Sequence, residues 1–175
     1  MPRVPTTILA ALCLAACSAR NRPSAPQLDA DVTEPREKPA IQPFRWSGVC
    51  AGASAPINTT TLYVAANCHI ANLGFATVVG TEIITPNSTG YNVSIRNSYT
   101  TTNGDHLYTE GDVIAEVKQD LSGMTFTGVE TVTGGTGRFA NATGSATRIG
   151  STSRGDRSGS WVNIGTLAFR VPRRN

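Results

Sequence analysis

Apolar residues recur at every second position from Phe44 to Val171. That is the period of strands with one buried face, and no stretch offers the spacing of an amphipathic helix. The clearest run covers 91–101. Tyr91, Val93, Ile95 and Tyr99 share one face, and Asn92, Ser94, Arg96, Ser98 and Thr100 share the other. Asn103-Gly104-Asp105 follows, a hairpin signal because Asn and Gly accept positive φ. In the next run Leu107, Val113, Ala115 and Val117 oppose His106, Tyr108, Glu110, Asp112, Glu116 and Lys118; then Met124, Phe126 and Val132 oppose Thr125, Thr127, Thr131 and Thr133. Turn signals divide the whole into roughly eight strands, near 44–50, 61–72, 74–85, 91–101, 106–117, 124–133, 142–151 and 159–170. Short connections make these an antiparallel meander. A meander of this size hides its edges best by closing on itself. The predicted fold class is therefore all-β, a single antiparallel, closed, up-and-down barrel, with an open sandwich as the alternative. A barrel of this strand number has an interior just wide enough for side chains or one small ligand.

The chain ahead of this domain has a different character. Arg3 precedes an apolar run from Ile8 to Ala16, too short to span a bilayer and of the right size for a signal peptide. The run ends in Leu14-Ala15-Ala16-Cys17, which resembles the lipobox of bacterial lipoproteins. That resemblance implies cleavage after residue 16, a lipid on Cys17 and tethering to a membrane. Ser18, rather than Asp, follows the cysteine, which points to the outer membrane of a Gram-negative envelope. The alternative is an ordinary signal peptide with Cys17 incidental. Residues 17–43 carry Pro23, Pro26, Pro35, Pro39 and Pro43 among charged residues, with no face to bury, and read as an extended linker. The barrel domain is expected over 44–171, with a basic tail at 172–175.

Cysteine usage fits an exported protein. Cys13 lies in the leader, and Cys50 and Cys68 remain as an even pair in an oxidising compartment, where a disulfide is the natural inference. Two unpaired buried thiols are the alternative. His69 adjoins Cys68, but the spacing does not match a zinc site, and no metal or other cofactor is expected. A net charge of +3 with no basic face argues against nucleic acid. A third reading, a barrel that itself sits in the outer membrane, is disfavoured, because Thr, Ser, Arg and Glu crowd one face where an apolar band would be needed.

The most specific string is Thr131-Val132-Thr133-Gly134-Gly135-Thr136-Gly137-Arg138-Phe139-Ala140-Asn141-Ala142-Thr143-Gly144. It resembles the Gly-Gly-Thr-Gly-x-Phe turn of dirigent and allene oxide cyclase barrels, and small exported bacterial proteins of that barrel type. Asn72-Leu73-Gly74 at an earlier junction agrees. Gly134, Gly135 and Gly137 would permit positive φ in a tight connection, Phe139 would fold over the barrel end as a plug, and Gly144 would suit a strand held close to its neighbour. The missing Walker lysine and the strand that follows argue against a phosphate cradle. The resemblance implies the fold, and oligomers of two or three subunits. Dirigent proteins carry arginine where this chain has Thr143, so it does not imply their catalysis.

Chemistry has few candidates. His106 and His69 both fall on outward faces. Glu130 shares parity with Met124, Phe126 and Val132, and a carboxylate inside a small barrel is costly unless paired or hydrated. The bland reading places Glu130 near the barrel mouth, or beyond a bulge that flips parity. Asn97, on the apolar face with Tyr91 and Tyr99, and Trp161 complete the set of candidate ligand-binding residues. Two functions follow. One is a lipid-tethered, non-catalytic barrel that binds a small apolar ligand or has a structural role in the envelope. The other is an isomerase- or cyclase-like enzyme that steers a reactive intermediate, with Glu130 as its acid or base.

Overall fold

The structure, a computed structural model, describes residues 41–170. The expected signal peptide, the expected lipidation site Cys17, the expected linker up to residue 40 and the tail from residue 171 lie outside the described residues. Eight strands follow in order: β1 (Ile41–Pro56), β2 (Thr61–Ile70), β3 (Gly74–Pro86), β4 (Gly90–Thr101), β5 (His106–Val117), β6 (Gly123–Gly135), β7 (Thr143–Ser153) and β8 (Ser158–Arg170). A single 3₁₀ turn at Gly137–Phe139 separates β6 from β7. Each strand pairs antiparallel with the next and β8 pairs with β1, which closes the barrel and rules out the open sandwich.

The first strand departs most from the sequence pattern. It takes in residues 41–43, assigned to the linker, and continues past residue 50 to Pro56. The reason is stagger. β1 pairs with β8 over Ile41–Ala53 but with β2 only over Gly48–Pro56. Pro43 and Pro56 both fall where one neighbour is missing, so an absent N–H is tolerated. Alternation hides this length, because Gly48 and Gly52 occupy inward positions where an apolar side chain would mark a strand.

Inside, the side chains form layers. Trp46, Ile70, Ala76, Val78, Leu107, Val132, Leu167 and Phe169 fill one half of the lumen. At that end Phe139 is fully buried and meets Phe169 edge-on at 5.1 Å, and Phe169 stacks on Phe44 at 4.8 Å. The expected plug is thus present. Arg138 lies over the rings of Phe139 and Phe169 and reaches Asp105 at 3.5 Å. In the connection itself, Gly134 (φ 132°) and Gly137 (φ 53°) adopt positive φ. Gly135 does not; it is required because a Cβ there would collide with the His106 carbonyl and crowd Phe139. At Gly144 (φ 146°) a Cβ would strike the Thr166 carbonyl. In the β4–β5 turn only Gly104 (φ 84°) takes positive φ; Asn103 holds the loop by donating from its amide to Asp105 at 3.0 Å.

Cys50 and Cys68 are directly opposed on β1 and β2, 4.0 Å apart at Cα, and form the expected disulfide inside the core. It closes a loop with a sequence separation of 18. Replacing both cysteines with alanine should cost about 3 kcal/mol, mostly by freeing the unfolded chain. The denaturation midpoint in urea, compared between the double variant and the wild type, measures that loss.

Candidate functional site

The half of the barrel away from Phe139 is open. Its lumen holds a cavity of about 780 Å³ at the end where the β1–β2, β3–β4, β5–β6 and β7–β8 connections meet. The walls are apolar, with Leu62, Val64, Ile84, Val93, Val113, Ala115 and Met124 among the lining residues. Tyr91 lines it as well. The volume suits a small organic molecule.

Among the polar side chains that line this cavity, Glu82 on β3 and Arg148 on β7 are the charged ones held inside the barrel; Arg154 and Arg157 are exposed at its mouth. β3 and β7 stand on opposite sides of the ring, so this pair spans the lumen. Arg148 Nη2 reaches Glu82 Oε1 at 3.3 Å. The Arg148 guanidinium lies 4.2 Å from the ring centre of Trp161 and 5.5 Å from that of Phe126, both of which line the cavity. Burial raises the Glu82 carboxyl above the usual carboxylate value. Arg148 pulls it back, and the charge of Glu130 pushes it up further. Three buried N–H groups of this cluster have no partner: Nε and Nη1 of Arg148 and Nε1 of Trp161.

A second polar cluster surrounds Glu130, whose exposure is 0 %. Oε1 accepts from the Asn97 amide at 2.9 Å, the Tyr99 hydroxyl at 2.9 Å and the Thr109 hydroxyl at 2.5 Å. Oε2 accepts from the Asn163 amide at 3.0 Å and from the same Tyr99 hydroxyl at 3.1 Å. Asn163 also donates to the Tyr99 oxygen at 2.9 Å. Every neighbour donates to this carboxyl group, so both oxygens are satisfied in the core without a direct ion pair. The Tyr99 hydroxyl is pushed well above its ordinary value, by burial first and then by Glu130, so it stays protonated and able to donate. The local sequence makes room for this. Glu130 is flanked across the sheet by Gly111 and Ala146, and Asn97 by Gly80.

The sequence-predicted residues therefore separate. Tyr91 and Trp161 line the cavity; Asn97, Tyr99 and Glu130 are brought together but do not line it. Glu130 lies neither at the mouth nor past a parity flip. The register irregularity falls between Tyr108 and Thr109 on β5, opposite the stretch from Val132 to Gly134, so parity is intact at Glu130. Glu130 is not among the residues that line the cavity, and both of its oxygens are taken up by Asn97, Tyr99, Thr109 and Asn163. His69 is exposed, and His106 is half-buried with its Nδ1 3.0 Å from the Thr100 hydroxyl. No cluster of three or more metal-ligating side chains occurs among the described residues.

Sequence reasoning missed Arg148, Glu82, Thr109 and Asn163. Parity carried the signal in each case. Arg148 continues the inward series of Ala142, Gly144 and Ala146, and Asn163 falls between Trp161 and Leu167. Small inward residues conceal such polar positions, because Gly and Ala mark a buried face weakly.

No protein-family model matches the chain, and no curated protein matches it. Among solved structures it is similar to two pterocarpan synthase dirigent proteins. GePTS1 shares 10% identity over 78% of this chain and 88% of its own, with a TM-score of 0.48. PsPTS1 shares 10% identity over 77% and 97%, again with a TM-score of 0.48.

Proposed function

We propose that this protein is a binding barrel that takes one small, largely apolar molecule into its open half, and that it works from a lipid tether on Cys17 at the outer membrane. The observation that carries the binding reading is the apolar cavity of about 780 Å³, open at one end while Phe139 and Phe169 fill the other. A structural core would have been filled with side chains, since interiors pack densely. The tether rests on Leu14-Ala15-Ala16-Cys17 and on the proline-rich stretch that would hold the barrel away from a bilayer.

The test is uptake of a neutral apolar fluorophore, N-phenyl-1-naphthylamine, by the purified barrel. Saturable one-to-one binding with energy transfer from Trp161 is the expected result. A flat titration, with no adduct in native mass spectrometry, would remove the binding reading. The tether is checked by labelling cells with a fatty-acid analogue: Cys17→Ala should abolish incorporation.

One observation favours a second reading, an isomerase- or cyclase-like enzyme. Glu82 is a carboxyl on the cavity wall, raised by burial and beside Arg148. Such a group can give a proton to a bound molecule near neutral pH more readily than an exposed carboxyl. In that reading the acid is Glu82 and Glu130 is structural.

A further inference from the structure

We propose that the cavity's ligand is an uncharged molecule with an apolar body and a hydrogen-bond acceptor, such as a carbonyl oxygen, at the end that enters first, and that Arg148 and Trp161 donate to that acceptor. This rests on the binding reading above and gives it a chemical class.

The unpartnered donors carry the inference. Buried N–H groups are nearly always hydrogen-bonded, and leaving one unmade is costly. Here Arg148 Nε, Arg148 Nη1 and Trp161 Nε1 are all buried without a partner, and both side chains line the same cavity. Arg148 is 2 % exposed and Trp161 5 %. Two aromatic rings hold the guanidinium, and Glu82 takes only one of its nitrogens. The donors therefore form an electrophilic patch at the chamber wall, beside Val64, Ile84, Val93 and Phe126, where one acceptor oxygen would complete them.

Charge decides against an ionised ligand. Inside the cavity the Arg148 guanidinium already has a carboxyl partner, Glu82, at 3.3 Å. A carboxylate ligand would add a further negative charge to that set, and an amine would be brought against the guanidinium. Both are costly in a site of low dielectric. Arg154 and Arg157 also line the cavity, but they are exposed to solvent, which weakens what they can offer an anion. A neutral acceptor meets the open donors without changing the charge count.

The experiment compares three probes of equal chain length, 2-nonanone, n-nonane and nonanoate, by displacement of N-phenyl-1-naphthylamine at pH 7.5. The wild type is set beside Arg148→Met and Trp161→Phe. Each variant should bind 2-nonanone about tenfold more weakly than the wild type, the size of one hydrogen bond to a charged or buried donor. Nonane affinity should stay level. Trp161→Phe keeps an aromatic ring but removes the N–H together with part of the indole, so the ratio of ketone to alkane affinity decides the matter if Arg148→Met does not fold. Equal changes for ketone and alkane, or none for either, would overturn the role of the donors. Tighter binding of nonanoate than of 2-nonanone would overturn the uncharged class while leaving the binding reading in place. Uptake of none of the three probes would remove that reading and this inference with it.

Discussion

Glu130→Ala should cost on the order of 5 kcal/mol, enough to leave a domain at the low end of ordinary stability about half unfolded. The carboxylate accepts from Asn97, Tyr99, Thr109 and Asn163, which come from β4, β5 and β8. Removing it leaves buried donors from three strands with no acceptor, in a space that water enters only at a further cost. Glu130→Gln keeps the shape and one acceptor oxygen. Its amide would then face the Tyr99 hydroxyl and the Asn163 amide, both of which can turn: Asn163 Oδ1 has no partner in the wild type and can be presented instead. The glutamine variant should therefore lose only about 2 kcal/mol. Chemical denaturation of the three proteins checks the order. Equal losses for Ala and Gln would mean that charge, not acceptor geometry, holds the cluster together.

Phe139→Ala is the second large effect. The ring is fully buried, sits edge-on to Phe169, and lies beneath Arg138. Truncating it removes contacts with a tightly packed end layer and leaves a void, a change that costs about 4 kcal/mol at buried aromatic positions. Because the open cavity lies at the opposite end of the lumen, the folded fraction of this variant should still take up N-phenyl-1-naphthylamine with wild-type affinity. Denaturant titration gives the first quantity and fluorescence the second. A stable Phe139→Ala protein would mean that the Gly-Gly-Thr-Gly turn, and not its aromatic residue, closes this end.

The closed barrel was legible in the sequence because alternation was strong where bulky residues alternated with polar ones, as from Tyr91 to Thr101. The plug and the disulfide were legible for related reasons. Phe139 stands alone as an aromatic in a glycine-rich turn, and two cysteines left as an even pair are most simply read as a disulfide. The site was only half legible. Tyr91 and Trp161 stood out as large side chains at inward parity, and both do line the cavity. Arg148 and Glu82 did not stand out, because Ala146 and Gly150 flank the first and Gly80 precedes the second at inward positions, and because pairing depends on strands that meet only across the closed ring. Depth along the barrel was not legible either. Parity says that Glu130 points inward, but the layer it occupies depends on strand stagger, which alternation does not encode.

The most direct test is methyl NMR of the barrel with and without N-phenyl-1-naphthylamine. Shift changes should concentrate on cavity methyls, those of Met124, Val113, Val93 and Ile84, and spare Leu107, Val132 and Leu167 in the filled half. No saturable change at the first set, or changes centred on the second, would contradict a barrel that is open for binding at one end and closed at the other.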